Sequence, residues 1–299
     1  MLEDIENTIR SVAAIASPAV VSIGRNGRGT GFVIAPNRVL TSAHNLRDQT
    51  VSVTFDDARV EQGSVHGVDA DGDLVVIDVA TGDIAPLAFA TTVAALGAAV
   101  VSIGRGGHRN RATLGFISGV DRSFHGPRGR VVRGSVEHTA PLARGSSGGP
   151  VLDPAGAVIG INTHRIGDGF YLARVADDVL QARIAELIDG KSPQRRSLGI
   201  AVAPAEVASQ LRQAVGLAER AGVLVRGIDE TGPAGRSGVL VGDLIVRVGD
   251  VTVATVDDLQ RALDDLSAAN GTATGTDTVE VGIVRGADDV TVTVSFAAG

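Results

Sequence analysis

Short strand-like segments separated by turn signals fill the first two thirds of the chain, and this pattern restricts the possible folds more than any other feature. A first set includes "AVVSIG", "GTGFVIA", "RVLTSA", "TVSVTF" and "DLVVIDV", and a second set runs from "AAVVSIG" near residue 98 to "GFYLARV". Asn-Gly, Pro-Asn and Asp-Gly pairs mark turns, which recur roughly every 8–12 residues. Two groups of about half a dozen short strands predict two packed antiparallel barrels.

From Leu198 onward, strand-like segments such as "GVLVRGID" alternate with helical stretches such as "TVDDLQRALDDL". This alternation predicts a compact mixed α/β unit of about a hundred residues. The chain as a whole is therefore expected to be mainly β, with two domains. The predicted parts are an N-terminal helical segment at 1–17, a double β-barrel domain at 18–189, a linker at 190–197 and the mixed α/β domain at 198–299.

Composition excludes several classes of site and partner. The chain has no Cys, which rules out disulfides and thiolate metal sites. Its net charge of −7 argues against nucleic acid as a partner, and no run of apolar residues is long enough to span a membrane. The acidic N-terminal stretch differs from a signal peptide, so we expect a soluble chain that is cytoplasmic as given, or in the cell envelope if an export segment has been removed. No cofactor and no metal is predicted.

The stretch "RGSSGGPVLD" at 144–153 is too short for a linker and lies between strand-like segments. Ser147 is flanked by Gly145 and by Gly148-Gly149, which permit a tight turn and leave backbone N–H groups accessible. A serine on such a turn is suited to be a nucleophile, because two N–H groups converge where an oxyanion develops. Ser146 is the neighbouring rival and is interpreted as a turn residue.

A nucleophilic serine needs a base with a pKa near neutrality, which indicates a histidine. Six histidines are present, and His44 lies where the apolar strand "RVLTSA" ends. A lone histidine at a strand end is more often a surface residue, so this position alone does not decide the matter. The other five lie in looser surroundings, and His108 and His125 fall in Arg-rich loops.

The base in turn needs a partly buried carboxylate to orient it, and "VDADGDLVVIDV" offers four. Asp73 directly precedes the apolar run Leu74–Ile77, so its backbone is expected to enter the core while its side chain faces a cleft. The other three, Asp69, Asp71 and Asp78, suit solvated turns or the far end of the strand. A calcium-binding loop is the rival interpretation, but its glycine comes at the fourth position rather than the sixth, and no Glu closes it.

The chain order His44, Asp73, Ser147 across two small barrels matches one known arrangement of a Ser-His-Asp triad. With these residues in place, the sequence resembles the HtrA (Deg/Do-like) serine proteases, which have a chymotrypsin-like double β-barrel followed by a PDZ domain. The matching motifs are "GTGFVI" at 29–34, "LTSAHNL" at 40–46, "DADGDLVVI" at 69–77, "GSSGGPVLD" at 145–153, "IGINT" at 159–163, "LGI" at 198–200, "GPAGRSGVLVGDLIVRVGD" at 232–250 and "DLQRAL" at 258–263.

The resemblance implies a role for each matched position. Ser147 would be the nucleophile, His44 the general base and acid, and Asp73 the residue that orients it. The backbone N–H groups of Gly145 and Ser147 would form the oxyanion hole. The substrate strand would pair with Asn162, Thr163 and His164, and the C-terminal carboxylate of a peptide would bind at Leu198, Gly199 and Ile200 of the PDZ domain.

The implied function is a serine endopeptidase that cleaves unfolded or misfolded proteins through an acyl-enzyme and is regulated or targeted by its PDZ domain. The implied partners are unfolded polypeptides and C-terminal peptides, and the implied assembly is a homotrimer. The alternatives are a catalytically silent or latent chaperone or scaffold, and an esterase that uses the same triad. The sequence departs from the family at Ser146, where Asn is usual, at the preceding "HTAPLARG", and at Ser197, which replaces an aromatic.

Seven arginines lie between Arg105 and Arg133, with a single acidic residue among them. One interpretation is a pair of solvated hairpin loops. The other places 121–130, with Arg128 and Arg130, at the family's activation-sensing loop, where these arginines would respond to an anionic group.

Overall fold

The computed structural model describes residues 2–25, 27–92, 95–105, 109–125, 131–167, 169–192, 196–269 and 278–296. The chain divides into two compact units, Met1–Pro193 and Gln194–Gly299. The division falls within the segment 190–197 that the sequence predicts as a linker.

The first unit contains two helices and twelve strands over its described residues. The helices are α1 (Leu2–Ala16) and α2 (Asp178–Ile188). The strands are β1 (Val20–Ile23), β2 (Gly29–Ala35), β3 (Arg38–Thr41), β4 (Thr50–Thr54), β5 (Val60–Asp69), β6 (Leu74–Asp78), β7 (Ala99–Gly104), β8 (Arg111–His125), β9 (Val131–His138), β10 (Pro150–Leu152), β11 (Val158–Gly167) and β12 (Phe170–Val175).

These strands form two closed antiparallel barrels that have the same topology. The order is β1-β2-β3-β6-β5-β4 in the first barrel and β7-β8-β9-β12-β11-β10 in the second. The prediction of a mainly β chain with two antiparallel barrels is confirmed.

The two helices of the first unit pack against the barrel cores through narrow apolar faces. Val12 and Ala16 of α1 are buried in the largest core cluster, whereas Leu2 near its beginning is exposed. Helix α2 begins at an Asp177 N-cap, whose carboxylate accepts a hydrogen bond from the Leu180 N–H at 2.8 Å. Such a cap satisfies a backbone donor that the helix itself leaves unpaired.

Over its described residues, the second unit is a six-stranded sheet with three helices. The strands are β13 (Ile200–Ala203), β14 (Val223–Ile228), β15 (Leu244–Val248), β16 (Val251–Thr252), β17 (Thr278–Arg285) and β18 (Asp288–Ser295). The helices are α3 (Ala205–Ala214), α4 (Pro233–Arg236) and α5 (Val256–Ala269). The sheet order is β13-β14-β15-β17-β18, with β16 paired to β15, so β13 is an edge strand. Across the described residues of both units, no helix has the length and apolar character needed to cross a membrane.

Candidate active site

His44 and Asp73 lie at adjacent strand ends of the first barrel. His44 is in a short helical turn, Ala43–Asn45, that follows β3, and Asp73 directly precedes β6. The two strands pair side by side, with Thr41 opposite Val75. The Ala43 N–H donates to the Asp73 carbonyl at 3.1 Å. Backbone pairing by itself therefore brings the histidine and the carboxylate close together.

The Asp73 carboxylate is aimed at His44 and is almost completely buried, with 1% of the residue exposed. Its Oδ2 accepts a hydrogen bond from His44 Nδ1 at 2.7 Å, and its Oδ1 accepts one from the His44 backbone N–H at 3.0 Å. Asp73 adopts a positive φ of 57°, a conformation that Asp and Asn tolerate better than most residues. With Nδ1–H bonded to the carboxylate, His44 Nε2 is left as the basic nitrogen.

The turn that carries Ser147 lies between β9 and β10 and is locked to the first barrel. Gly148 has a φ of +84°, and a Cβ there would lie 2.3 Å from the Thr30 carbonyl oxygen. Glycine is thus required at this position for two separate reasons. The Ser147 carbonyl accepts hydrogen bonds from the Thr30 N–H at 3.0 Å and from Asn45 Nδ2 at 2.9 Å.

Two N–H groups of this turn are left available. Among the described residues, the N–H groups of Gly145 and Ser147 donate no hydrogen bond, whereas those of Gly148 and Gly149 donate to carbonyl oxygens. The Gly145 carbonyl is itself fixed, because it accepts a hydrogen bond from Thr30 Oγ1 at 2.7 Å. The turn therefore offers two donors to an anion at its outer face.

The Ser147 hydroxyl is held away from His44. Its Oγ donates to the Thr163 carbonyl at 3.0 Å, and no hydrogen bond joins it to His44 within the described part of the chain. Thr163 Oγ1 donates in turn to Asp73 Oδ2 at 3.4 Å. A continuous set of contacts thus connects four residues from four separate segments of the chain. The rival Ser146 is buried, and its Oγ would lie 2.4 Å from a Cβ added at Gly104.

Asn162 differs from the prediction that it pairs with a substrate strand. Its N–H donates to the Gly149 carbonyl at 2.9 Å and its carbonyl accepts from Gly148 N–H at 2.8 Å, so its backbone is already paired. Because β10 begins at Pro150 and the two residues before it pair with Asn162, the free edge of β11 begins at Thr163. The structure places His164 next along this edge, half-buried, with its ring centroid 4.8 Å from that of Phe124. Burial and the nearby His44 lower the pKa of His164, and Asp73 opposes them.

A buried polar network that the sequence patterns did not predict lies beneath the nucleophile turn. His138 is fully buried, and its Nε2–H donates to Asn162 Oδ1 at 3.0 Å. Asn162 Nδ2 donates to Ser102 Oγ at 2.8 Å and to the Gly149 carbonyl at 3.1 Å. Burial lowers the pKa of His138 to about 4, and the hydrogen bond to Asn162 opposes this shift. A signal was present, because His138 alternates with the apolar Val136 along β9.

The arginine-rich segment divides into different environments. Arg105 is fully buried rather than solvated, and it bonds to Asp56 Oδ1 at 2.6 Å and to the Phe55 carbonyl at 2.9 Å. Arg122 lies 3.4 Å from Glu137 on the neighbouring strand. Arg128 and Arg130 lie outside the described residues, so the proposed sensing loop stays a prediction.

In the second unit, the predicted peptide-binding residues form the approach to the edge strand β13. Leu198 is buried in the core of this unit, and Gly199 has a φ of +72°. The Gly199 N–H donates to Ser197 Oγ at 3.3 Å. Ile200 is the first residue of β13 and pairs with Ile228. Ser197 thus already contacts one of the N–H groups expected to bind a carboxylate.

Comparisons with known families and relatives agree with this architecture. A trypsin-like peptidase domain matches residues 29–161, and a PDZ domain matches 197–296. A putative serine protease, HhoB, of Synechocystis sp. is 31% identical over 251 residues, covering 80% of this chain and 60% of the relative. The chloroplastic Protease Do-like 1 of Arabidopsis thaliana is 30% identical over 285 residues, covering 87% of this chain and 61% of that protein. The chain thus spans about three fifths of the length of these relatives.

Solved structures match at lower identity over nearly the whole chain. The HtrA-type protease AlgW with decapeptide has a TM-score of 0.72 at 20% identity, covering 96% of this chain and 97% of that one. A serine endoprotease from Yersinia pestis has a TM-score of 0.70 at 21% identity, covering 96% of both chains. These likenesses establish the fold.

Proposed function

The chain belongs to the HtrA (Deg/Do-like) family of serine endopeptidases with a PDZ domain, and on this premise we propose that it hydrolyses unfolded or misfolded polypeptides through an acyl-enzyme. The observation that carries the proposal is the hydrogen-bonded set of His44, Asp73, Thr163 and Ser147. The homotrimer expected from the resemblance stays a prediction.

In the proposed acylation step, His44 Nε2 accepts the proton of Ser147 as Oγ attacks the scissile carbonyl carbon. Asp73 holds the ring in the required tautomer and stabilises the imidazolium that forms. The resulting oxyanion accepts hydrogen bonds from the N–H groups of Gly145 and Ser147. His44 then gives the proton to the leaving amine as the C–N bond breaks. In deacylation, water attacks the ester carbonyl carbon and gives a proton to His44, which passes it to Ser147 Oγ as the C–Oγ bond breaks.

Before attack, the Ser147 hydroxyl must exchange its partner. It donates to the Thr163 carbonyl in the resting arrangement, and rotation about its Cα–Cβ bond would direct Oγ toward His44. Catalytic hydrogen bonds are often loose in a free enzyme and tighten when substrate binds. A substrate strand pairing with the β11 edge at Thr163 would compete for the same carbonyl, and so would release the hydroxyl.

We also propose that the PDZ domain binds C-terminal carboxylates at Leu198, Gly199 and Ile200. The edge position of β13 supports this, since a peptide can add to an exposed edge as a further strand. The positive φ of Gly199 supports it as well, because this backbone can present an N–H to an anion without a side chain in the way. A fluorescent peptide with a free C-terminus should bind, and the same peptide with a C-terminal amide should not.

The test of the catalytic proposal is labelling by a fluorophosphonate probe together with digestion of unfolded casein. Both should occur in the parent protein and both should be lost in Ser147→Ala. Ser146→Ala is the matched control, since it removes the same hydroxyl one residue earlier, and it should keep both activities. A Ser147→Ala variant that still reacts with the probe would refute the assignment of the nucleophile. A parent protein that neither reacts nor digests casein, even with PDZ-binding peptides added, would refute the proposed activity.

A further inference from the structure

A pocket of about 560 Å³ opens in the first barrel beside the histidine of the candidate active site. Three arginines contribute to its lining, namely Arg25, Arg28 and Arg47. Asp48 is the one acidic residue among the lining residues. The volume lies in the range of pockets that bind small ligands or single substrate residues, about 300–1,000 Å³.

The positive charge of this pocket is only partly offset, because three arginines and one aspartate line it. Arg25 and Arg47 make no ion pair or hydrogen bond with any of the described residues, although the chain as a whole has a net charge of −7. Arg59 of the same barrel behaves differently, because it pairs with Glu61 at 3.2 Å. A concave site lined by one sign of charge attracts the opposite charge.

The pocket directly adjoins the proposed catalytic residues. Arg28 Nη2 donates to the His44 carbonyl at 3.3 Å. Asn45, which also contributes to the lining, donates to the Ser147 carbonyl at 2.9 Å. One wall of the pocket is therefore bonded to the backbone of both the proposed base and the proposed nucleophile.

The position of the pocket indicates which part of a substrate reaches it. The acyl part of a substrate would pair with the free edge of β11, which begins at Thr163 in the second barrel. The leaving amine must lie next to His44, because His44 donates its proton. The residues that follow the scissile bond would then pass over the first barrel, where the arginine-lined pocket lies.

We propose that this pocket binds a carboxylate on the leaving-group side of the substrate, and so favours cleavage where an acidic group follows the scissile bond. The inference rests on the proposed peptidase activity and adds a substrate preference to it. Two sources supply the same chemistry: the side chain of Asp or Glu, and the C-terminal carboxylate of the substrate itself. Arginine suits either, since its planar guanidinium pairs with a carboxylate through two parallel hydrogen bonds.

The experiment compares the hydrolysis of matched quenched-fluorescence peptides by the full chain. One pair carries Glu or Gln within the three positions after the cleaved bond and ends in an amide. A second pair is neutral at those positions and ends in either a free carboxylate or an amide. We expect kcat/KM to be about 3- to 10-fold higher for an acidic member, as partly exposed ion pairs allow. A preference within the first pair identifies the side chain as the source, and one within the second pair identifies the terminus.

The variant Arg25→Gln/Arg47→Gln should lose the preference for an acidic substrate at any salt concentration. The parent protein should keep the preference at low salt and lose it as added salt screens the charges. The matched control is Arg111→Gln/Arg133→Gln, which removes two exposed arginines of the second barrel and should keep the preference. Fluorophosphonate labelling should be the same in all three proteins, because the probe has no peptide leaving group.

The outcomes separate the two claims. Equal cleavage within both pairs, or a preference that persists in Arg25→Gln/Arg47→Gln, overturns the pocket assignment and leaves the peptidase intact. Failure to cleave any peptide, with no labelling by the probe, refutes the peptidase activity itself.

Discussion

The two barrels of the first unit share one strand order but hold their parts of the candidate site by different means. In the first barrel, paired strand ends position His44 and Asp73, supported by large apolar side chains such as Phe32 and Leu40. The second barrel's own core cluster consists of Val, Ile and Ala. The turn that carries Ser147 lies above the polar network of His138, Asn162 and Ser102.

This difference indicates that barrels of the same topology can position catalytic groups either by apolar packing or by a network of buried hydrogen bonds. Apolar packing and backbone pairing do not change with pH, whereas a hydrogen bond from a buried imidazole does. We therefore expect the placement of the His44 and Asp73 backbones to vary little with pH. The position of the Ser147 turn should change when an added side chain crowds it, and when His138 beneath it is protonated.

Asp73→Asn should have the largest effect on kcat, because it removes the carboxylate that orients His44 without changing the packing of the first barrel. The amide keeps the size of the side chain and tolerates the positive φ, but it can hold His44 in the wrong tautomer. We expect kcat for peptide hydrolysis to fall by about 10⁴-fold, with little change in the free energy of unfolding.

The control for this change is Asp78→Asn, at the other end of β6, where the carboxylate is exposed and lies 3.1 Å from Arg38. It should keep full activity. A fall in kcat of less than 10-fold in Asp73→Asn would contradict the proposal that Asp73 orients His44.

Gly148→Ala tests the steric side of the second barrel. The added Cβ would lie 2.3 Å from the Thr30 carbonyl, so the nucleophile turn must move away from the first barrel. A misplacement of about 1 Å can reduce a rate about 10²-fold, and we expect that loss in the rate of fluorophosphonate labelling. Gly134→Ala is the control for backbone strain alone, because Gly134 has a φ of +69° and no atom within 4 Å of an added Cβ. Equal losses in both variants would mean that strain, rather than contact between the barrels, sets the rate.

Protonation of His138 should destabilise the second barrel as the pH falls. Its pKa is about 4 in the folded chain and 6.5 ordinarily, so the unfolded chain binds the proton more readily between these values. The contribution to stability is fully present above pH 6.5 and is lost progressively as the pH falls toward about 4. Between pH 7 and pH 5, this should remove about 2 kcal/mol from the free energy of unfolding.

The contribution of His138 is measured by urea unfolding of the parent and of His138→Gln at pH 7 and at pH 5. Glutamine keeps an amide donor for Asn162 but does not titrate, so the variant should lose about 2 kcal/mol less than the parent. The other histidines are common to both proteins and cancel in the comparison. If the free energy of unfolding falls equally in both proteins, protonation of His138 does not cause the loss of stability.

Sequence patterns predicted the two barrels because turn residues and strand alternation are local signals. They also selected His44, Asp73 and Ser147, which lie close together, because each is marked by its immediate neighbours. Asn162 was placed on the substrate edge because no local pattern reveals that Gly148 and Gly149, just before β10, already pair with its backbone. His138 was counted among the histidines in looser surroundings, because the burial of its ring depends on the pairing of β9 with two other strands.

Thr163→Val should have the smallest effect on kcat, and it tests a side-chain hydrogen bond from the second barrel to the acid of the first. Valine keeps the shape of the side chain but removes the hydroxyl that donates to Asp73 Oδ2 at 3.4 Å. One net hydrogen bond is worth about 1 kcal/mol, so kcat should fall about 5-fold, with KM unchanged because the Thr163 backbone stays in place. Thr113→Val removes a hydroxyl that makes an equally long contact to the Ser102 carbonyl, and it should leave kcat unchanged. If Thr163→Val also leaves kcat unchanged, the first barrel holds Asp73 by itself, and the two barrels cooperate through the backbone of the nucleophile turn alone.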